Sequence, residues 1–198
     1  MPRVIGLTGG IASGKSAVSR ILRERGLPVI DADSISHEIL ATDEGVKQKV
    51  VTAFGPEVLT AAGAVDRTRL GTIIFRDAQR RRDLELILHP AIGAVLWQRA
   101  QEVDDIVVLE IPLLIEQGEH ERVDLVVVVY ATRERQIQRL MERDGFTREE
   151  AMRRIETQLP LDEKVAYAHY VINNNGSLQE TEEQVLRLYQ AVRGKETL

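Results

Sequence analysis

Residues 9–16 read Gly-Gly-Ile-Ala-Ser-Gly-Lys-Ser and satisfy the spacing G-x-x-x-x-G-K-[ST]. The segment before them, Arg3-Val4-Ile5-Gly6-Leu7, is a short β-branched run suited to a buried parallel strand. After them, Val18, Ile21 and Leu22 recur at helical spacing. Strand, glycine-rich turn and helix therefore stand in the order that a phosphate-cradling loop requires. Gly9 and Gly14 let the backbone curl until successive N–H groups point at one anion, an approach that Cβ atoms would obstruct. The following helix adds roughly half a positive charge at its N-terminus. Lys15 is a mobile point charge able to follow a phosphoryl group in transit, and the Ser16 hydroxyl suits Mg²⁺. The pattern predicts a nucleoside triphosphate bound along Gly9, Gly10, Ile11, Ala12, Ser13, Gly14, Lys15, Ser16 and Ala17.

A chain of 198 residues, 43% of them hydrophobic, suits one domain or a core with small insertions. Its net charge of −5 argues against a nucleic-acid-coating protein. Without cysteine there is no disulfide, thiolate catalysis or cysteine metal site, which fits a reducing compartment. The N-terminus enters a strand at once, and no apolar run approaches the ~20 residues of a membrane span. The expectation is a cytoplasmic protein with no membrane or nucleic-acid partner, a monomer or weak homo-oligomer.

Apolar runs at 4–7, 28–30, 106–111, 125–130 and 170–172 are candidate strands separated mostly by helical patterns. Leu-Val-Val-Val-Val-Tyr at 125–130 is continuous rather than alternating, the mark of a strand buried on both faces. Capping-box spacing occurs at Thr147-x-x-Glu150 and Ser177-x-x-Glu180. The prediction is an α/β fold, a doubly wound parallel sheet of about five strands. Two stretches exceed what compact connections need. Residues 37–103 read as a helical insertion, and 132–168 as an arginine-rich helical lid; 1–36, 104–131 and 169–198 form the core.

Asp31-Ala32-Asp33 closes the second strand, whose alternation would put both carboxylates on one face. The carboxyl ends of parallel strands form the ligand crevice, so Asp33 is a candidate base or metal ligand; its other reading is the N-cap of the next helix. His89-Pro90 interrupts a helical region, where proline would end one helix and open another. Glu110 occupies the place of a Walker-B acid, Pro112 turns the chain, and Leu113-Leu114 resemble packing residues. In Asn173-Asn174-Asn175-Gly176 the loop at Asn175 can meet an adenine edge or simply turn the chain. Trp97 reads as core rather than ligand stack.

Together these segments resemble the dephospho-CoA kinase family over almost the whole chain. The resemblance is carried by Leu7-Thr8-Gly9-Gly10-Ile11-Ala12-Ser13-Gly14-Lys15-Ser16, Val29-Ile30-Asp31-Ala32-Asp33, His89-Pro90 and Pro112-Leu113-Leu114 with Glu116. Gln136-x-x-Arg139-x-x-x-Arg143-Asp144, Arg154-Ile155-x-x-Gln158 and Val171-Ile172-Asn173-Asn174-Asn175-Gly176 complete it. The resemblance implies a P-loop NTPase-type fold and transfer of the ATP γ-phosphate to the ribose 3′-hydroxyl of dephospho-CoA, with Mg²⁺. It implies catalytic roles for Asp33 as base, Lys15, and the lid residues Arg139 and Arg143 on the transferring phosphoryl. Acceptor contacts would come from Asp33, His89, Pro112 and Leu113. Three positions depart from the family pattern. Ala17 replaces a common threonine, His169 stands where an aspartate is usual, and Asn173 occupies an often acidic position.

The nearest alternative is another P-loop nucleoside or nucleotide kinase, which would share core and lid but use the insertion differently. A nucleotide-dependent switch would need D-x-x-G and [NT]-K-x-D, and the chain contains neither. A purely regulatory ATP-binding module would leave Asp33 and the lid arginines without a purpose.

Overall fold

The computed structural model describes residues 2–194. In chain order these form β1 (Arg3–Gly9), α1 (Lys15–Glu24), β2 (Val29–Asp31), α2 (Ala32–Thr42), α3 (Glu44–Phe54), α4 (Arg67–Arg76) and α5 (Ala78–Gln101). There follow β3 (Ile106–Glu110), β4 (Leu125–Tyr130), α6 (Arg133–Asp144), α7 (Arg148–Ile155), α8 (Leu161–Val165), β5 (Tyr170–Asn173) and α9 (Leu178–Gly194). The strands form one sheet of order β2-β3-β1-β4-β5, with β1 pairing β3 and β4 in parallel and β4 pairing β5 in parallel.

The continuous apolar run of β4 is explained by what covers it. Leu125, Val127 and Val129 join Ile5, Leu7 and Val108 beneath Val18, Ile21 and Leu22 of α1 and Val185, Leu188 and Val192 of α9. Val126 and Val128, on the opposite face by the period of a strand, are equally buried. Both faces are thus closed to water, as a doubly wound parallel sheet requires.

Contacts divide the chain into two compact units, one running through Ile30 and resuming at Ala100, the other Asp31–Arg99. The second starts earlier than 37 because α2 grows straight out of β2 and leaves no break there. Its own core is Ile35, Ile39, Val46, Val50, Phe54, Leu70, Leu84 and Leu88. Each of its helices begins on an aspartate that accepts backbone N–H bonds. Asp31 caps α2, Asp43 α3 and Asp66 α4, and Asp77 takes the amides of Gln79 and Arg80 at the start of α5. Those amides hold the Asp77 carboxyl below its usual range.

Two local readings are corrected here. Asp31-Ala32-Asp33 does not share a strand face: the Asp31 side chain accepts from the Asp33 amide at 2.9 Å and from the Ser34 hydroxyl at 2.8 Å, which turns the chain into α2. The cap is therefore Asp31, and Asp33 is the second residue of the helix. His89-Pro90 does not break a helix either, since α5 runs through Pro90 for 24 residues. Proline removes the bond to the carbonyl four residues back, that of Leu86. Leu86 is 76% exposed, so that carbonyl lies on the wet side of the helix, where its loss is cheapest. Trp97 of the same helix is half-buried rather than part of the core.

Both capping boxes form. Thr147 and Glu150 bond reciprocally at the start of α7, as do Ser177 and Glu180 at the start of α9. Ile137, Leu140 and Ala151 knit α6 to α7 and pack against Ile11 and Ala12 of the glycine-rich loop. Three of the seven arginines of 132–168 serve this hairpin. Arg148 forks onto Glu134 at 2.6 and 2.7 Å, Arg133 pairs with Glu156, and Arg154 lies 4.1 Å over the Phe146 ring.

Candidate active site

In the loop between β1 and α1 the carbonyls of Ile11, Ala12 and Ser13 are taken by side chains from outside the loop, and those of Gly9 and Gly10 by Lys15. Gly14 caps α1 in the left-handed region, at φ 100°, and offers no side chain to the first-turn amides. Those amides are the natural seat of an anion. The Ser13 amide closes the turn on the Gly10 carbonyl at 3.1 Å. Ala12 holds φ 57°, the only described residue other than glycine at positive φ, a conformation costing about 1–3 kcal/mol that surroundings must enforce. Lys15 Nζ lies over the loop mouth, 3.2 Å from the Gly9 carbonyl and 3.3 Å from that of Gly10. Ser16, the second residue of α1, is exposed. Ser13 Oγ is buried without a hydrogen-bond partner among the described residues, the condition that a bound phosphate or water would relieve.

The surroundings that enforce Ala12 are polar side chains from three distant places. Gln136 of α6, only 3% exposed, donates Nε2 to the Ile11 carbonyl at 2.6 Å. Gln158, beyond α7, accepts the Ile11 amide at 2.8 Å. Arg139, one turn after Gln136 on α6, donates Nη1 to the carbonyls of Ala12 and Ser13 at 3.2 and 3.1 Å and Nη2 to that of Asn174 at 2.7 Å. Burial, helped by Arg135, lowers the Arg139 pKa, yet a guanidinium remains charged throughout the working range. Asn174 donates Nδ2 to the Ser13 carbonyl at 2.7 Å and is held in turn by the Thr181 hydroxyl at 2.8 Å. A Cβ at Gly14 would collide with the Asn174 amide, and one at Gly10 would fall 2.5 Å from Gln136 Nε2. The glycines thus serve close packing from outside as much as approach from inside.

The other expected residues fall into two groups. Asn175 lies in the same unit as the loop, but its amide is engaged: Oδ1 accepts from the Thr132 amide at 2.8 Å and Nδ2 donates to Asn173 Oδ1 at 2.7 Å. Pro112 presents its carbonyl to Thr8 and Lys164, while Leu113 is half-buried and Leu114 fully buried. Arg143 is exposed and forks onto Asp144 at 2.9 and 2.8 Å, a pairing that raises the arginine and lowers the aspartate. Asp33, exposed, and His89, half-buried, belong to the unit Asp31–Arg99. Glu110, in the Walker-B place, is 7% exposed and accepts the Ser19 hydroxyl at 2.5 Å.

Two of the three departures make local contacts. His169 Nδ1 accepts the Val126 amide at 3.0 Å beside β4, and Asn173 keeps an acceptor oxygen for Asn175. Gln136, Gln158, Asn174 and Thr181 were not singled out from the sequence for these contacts. One signal was present: Gln136 and Arg139, three apart, share one helix face.

A parallel sheet, a glycine loop at the end of its central strand and a lysine over that loop define a P-loop nucleotide-binding fold. Residues 3–180 match the dephospho-CoA kinase family. The dephospho-CoA kinase of Geobacillus kaustophilus is 47% identical over 192 residues, covering 95% of this chain and 96% of that protein. That of Carboxydothermus hydrogenoformans is 45% identical over 197 residues, covering 98% and 96%. Among solved structures, dephospho-CoA kinase from Campylobacter jejuni superposes with a TM-score of 0.73 at 29% identity, over 98% of this chain and all of that one. The chain belongs to the dephospho-CoA kinase family, and it is a kinase.

Proposed function

We propose that this enzyme transfers the γ-phosphate of ATP to the ribose 3′-hydroxyl of dephospho-CoA, giving coenzyme A and ADP in the last step of coenzyme A synthesis. The observation that carries the reading is the phosphate loop of a dephospho-CoA kinase family member, with the carbonyls of Ile11, Ala12 and Ser13 held outward by Gln136, Arg139 and Asn174. A cradle fixed before the nucleotide arrives needs no reorganisation as charge develops on the phosphoryl group. Lys15 follows that charge from donor to acceptor. Arg139 adds a fixed cation behind the loop, and Arg143 a second on the same helix. The backbone around Asn175 offers hydrogen bonds to the adenine edge.

Asp33 takes the proton from the 3′-hydroxyl. Because Asp31 caps α2, the Asp33 carboxylate is not required for that purpose. Acceptor contacts are assigned to His89 within the acceptor-binding insertion 37–103 and, separately, to Pro112 and Leu113 of the core, with 132–168 as the lid.

The donors fit Mg²⁺ held mainly by nucleotide oxygens. Among the described residues no group of three or more His, Cys, Asp or Glu forms a metal cage, while the Ser16 hydroxyl stands exposed at the first turn of α1. Bound with the nucleotide, Mg²⁺ supplies neutralisation of phosphate charge. We place the enzyme in the cytoplasm as a monomer or weak homo-oligomer acting on small molecules. Its net charge is −5, and no described helix is long and apolar enough to cross a membrane.

The test is product analysis with purified protein, Mg·ATP and dephospho-CoA. Coenzyme A and ADP should appear in equal amounts. ADP formed without coenzyme A would overturn the reading.

A further inference from the structure

Lys164 of α8 has a wholly buried side chain, an expensive place for an ammonium. Its Nζ donates to the Pro112 carbonyl at 2.9 Å and lies 2.8 Å from Glu116 Oε1. The Pro112 carbonyl also takes the hydroxyl of Thr8 at 3.1 Å, a buried residue of β1 adjoining Gly9. Glu116 Oε1 also takes the amide of Leu159 at 3.1 Å, and Leu159 directly follows Gln158, which holds the Ile11 amide. One cation thus joins the root of the phosphate loop, the turn after β3 and the segment returning from the lid helices. Burial holds the ammonium below the ordinary lysine range, with Glu116 opposing that shift.

A buried ion pair seldom stabilises a fold more than apolar residues of similar volume would. It does impose direction. An ammonium with several donors can hold a carbonyl and a carboxylate at fixed angles, which a methyl group cannot. Neither Lys164 nor Glu116 is needed for the charge chemistry already assigned.

We propose that Lys164 is a positioning residue for phosphoryl transfer, setting the turn of Pro112 and Leu113 against the acceptor. This rests on the dephospho-CoA kinase reading, because only there do Pro112 and Leu113 face an acceptor. Lys164 touches no substrate. Its effect should fall on acceptor use, because the ATP cradle keeps Gln136, Arg139 and Asn174.

The experiment compares the wild type, Lys164→Met and Lys164→Met/Glu116→Gln in the full chain. It measures folding by circular dichroism, ATP affinity by titration calorimetry, and kcat and KM for dephospho-CoA. The double variant removes the carboxylate that the single one would leave unpaired, so it decides the matter if the single variant fails to fold. Folded variants should lose about tenfold to a hundredfold in kcat/KM for dephospho-CoA, the scale of an ångström misplacement, with ATP affinity near wild type. A wild-type kcat/KM in a folded variant, or ATP affinity falling in step with it, would overturn the proposal. A wild-type enzyme that leaves dephospho-CoA unphosphorylated would instead remove the functional reading beneath it.

Discussion

Ile11 is gripped by Gln136 and Gln158 from 125 and 147 positions away, and Ser13 by Asn174 from 161 away. In the unit Asp31–Arg99, Asp31, Asp43, Asp66 and Asp77 each bond amides only two or three positions ahead. The first region exists only when the whole core has folded, while the second assembles its helices from neighbouring residues. Damage to the loop and its grips should therefore appear in chemistry, and damage to a cap in stability.

The largest expected effect tests Asp33, the proposed base, which stands among those local caps. Asp33→Asn keeps the shape of the side chain but cannot accept the hydroxyl proton, and loss of a general base costs about 10²–10⁴-fold. Turnover should collapse while ATP affinity and melting temperature stay near wild type. Unchanged turnover per folded molecule would return Asp33 to a purely structural place.

Lys15→Ala comes next. Removing one preorganised charge from the transition state costs about 10²–10³-fold in turnover. A kcat near wild type would sink the assignment of the loop.

Arg139→Lys sharpens the contrast within α6. An ammonium cannot span the carbonyls of Ala12, Ser13 and Asn174, and charged hydrogen bonds are worth about 1.5–3 kcal/mol each, so a loss of roughly tenfold or more in kcat is expected. Arg143→Lys, which disturbs only an exposed pair with Asp144, should be milder. Steady-state kinetics of the two variants side by side checks the order; two normal enzymes would remove both arginines from the mechanism.

The smallest effect belongs to the caps. Asp31→Ala should cost about 1 kcal/mol of stability, read as a lower melting temperature, with ATP affinity unchanged.

The same contrast explains what could be read from the sequence. Val4, Ile5 and the valines at 126–129 announce strands because burial on both faces leaves a continuous apolar run. Thr147 and Ser177 announce helix starts because their glutamates lie three residues on. The phosphate loop is a contiguous string. Pro90 misleads because the helix rule assumes that the lost hydrogen bond matters, and at Leu86, an exposed residue, its loss is cheap. Asp31 and Asp33 mislead because strand alternation and an aspartate cap make the same three-residue pattern. Gln136, Gln158 and Asn174 stand in the segments that carry the family resemblance, and Lys164 does not, but no contact of any of the four is written in its local pattern. Their partners are carbonyls and amides far along the chain, and no local pattern records those.

The phosphate loop specifies a donor and is silent about the acceptor, which is the central claim still to be tested. An insertion as long as 37–103 suits an elongated acceptor, whose remote parts can supply binding energy that orients the ribose hydroxyl at Asp33. The most direct measurement is kcat/KM for dephospho-CoA, AMP and adenosine with the same enzyme and Mg·ATP. Dephospho-CoA should be phosphorylated efficiently, and both shorter acceptors should lose kcat as well as affinity. Equal or better use of AMP or adenosine would contradict the account and make the enzyme a nucleoside or nucleotide kinase.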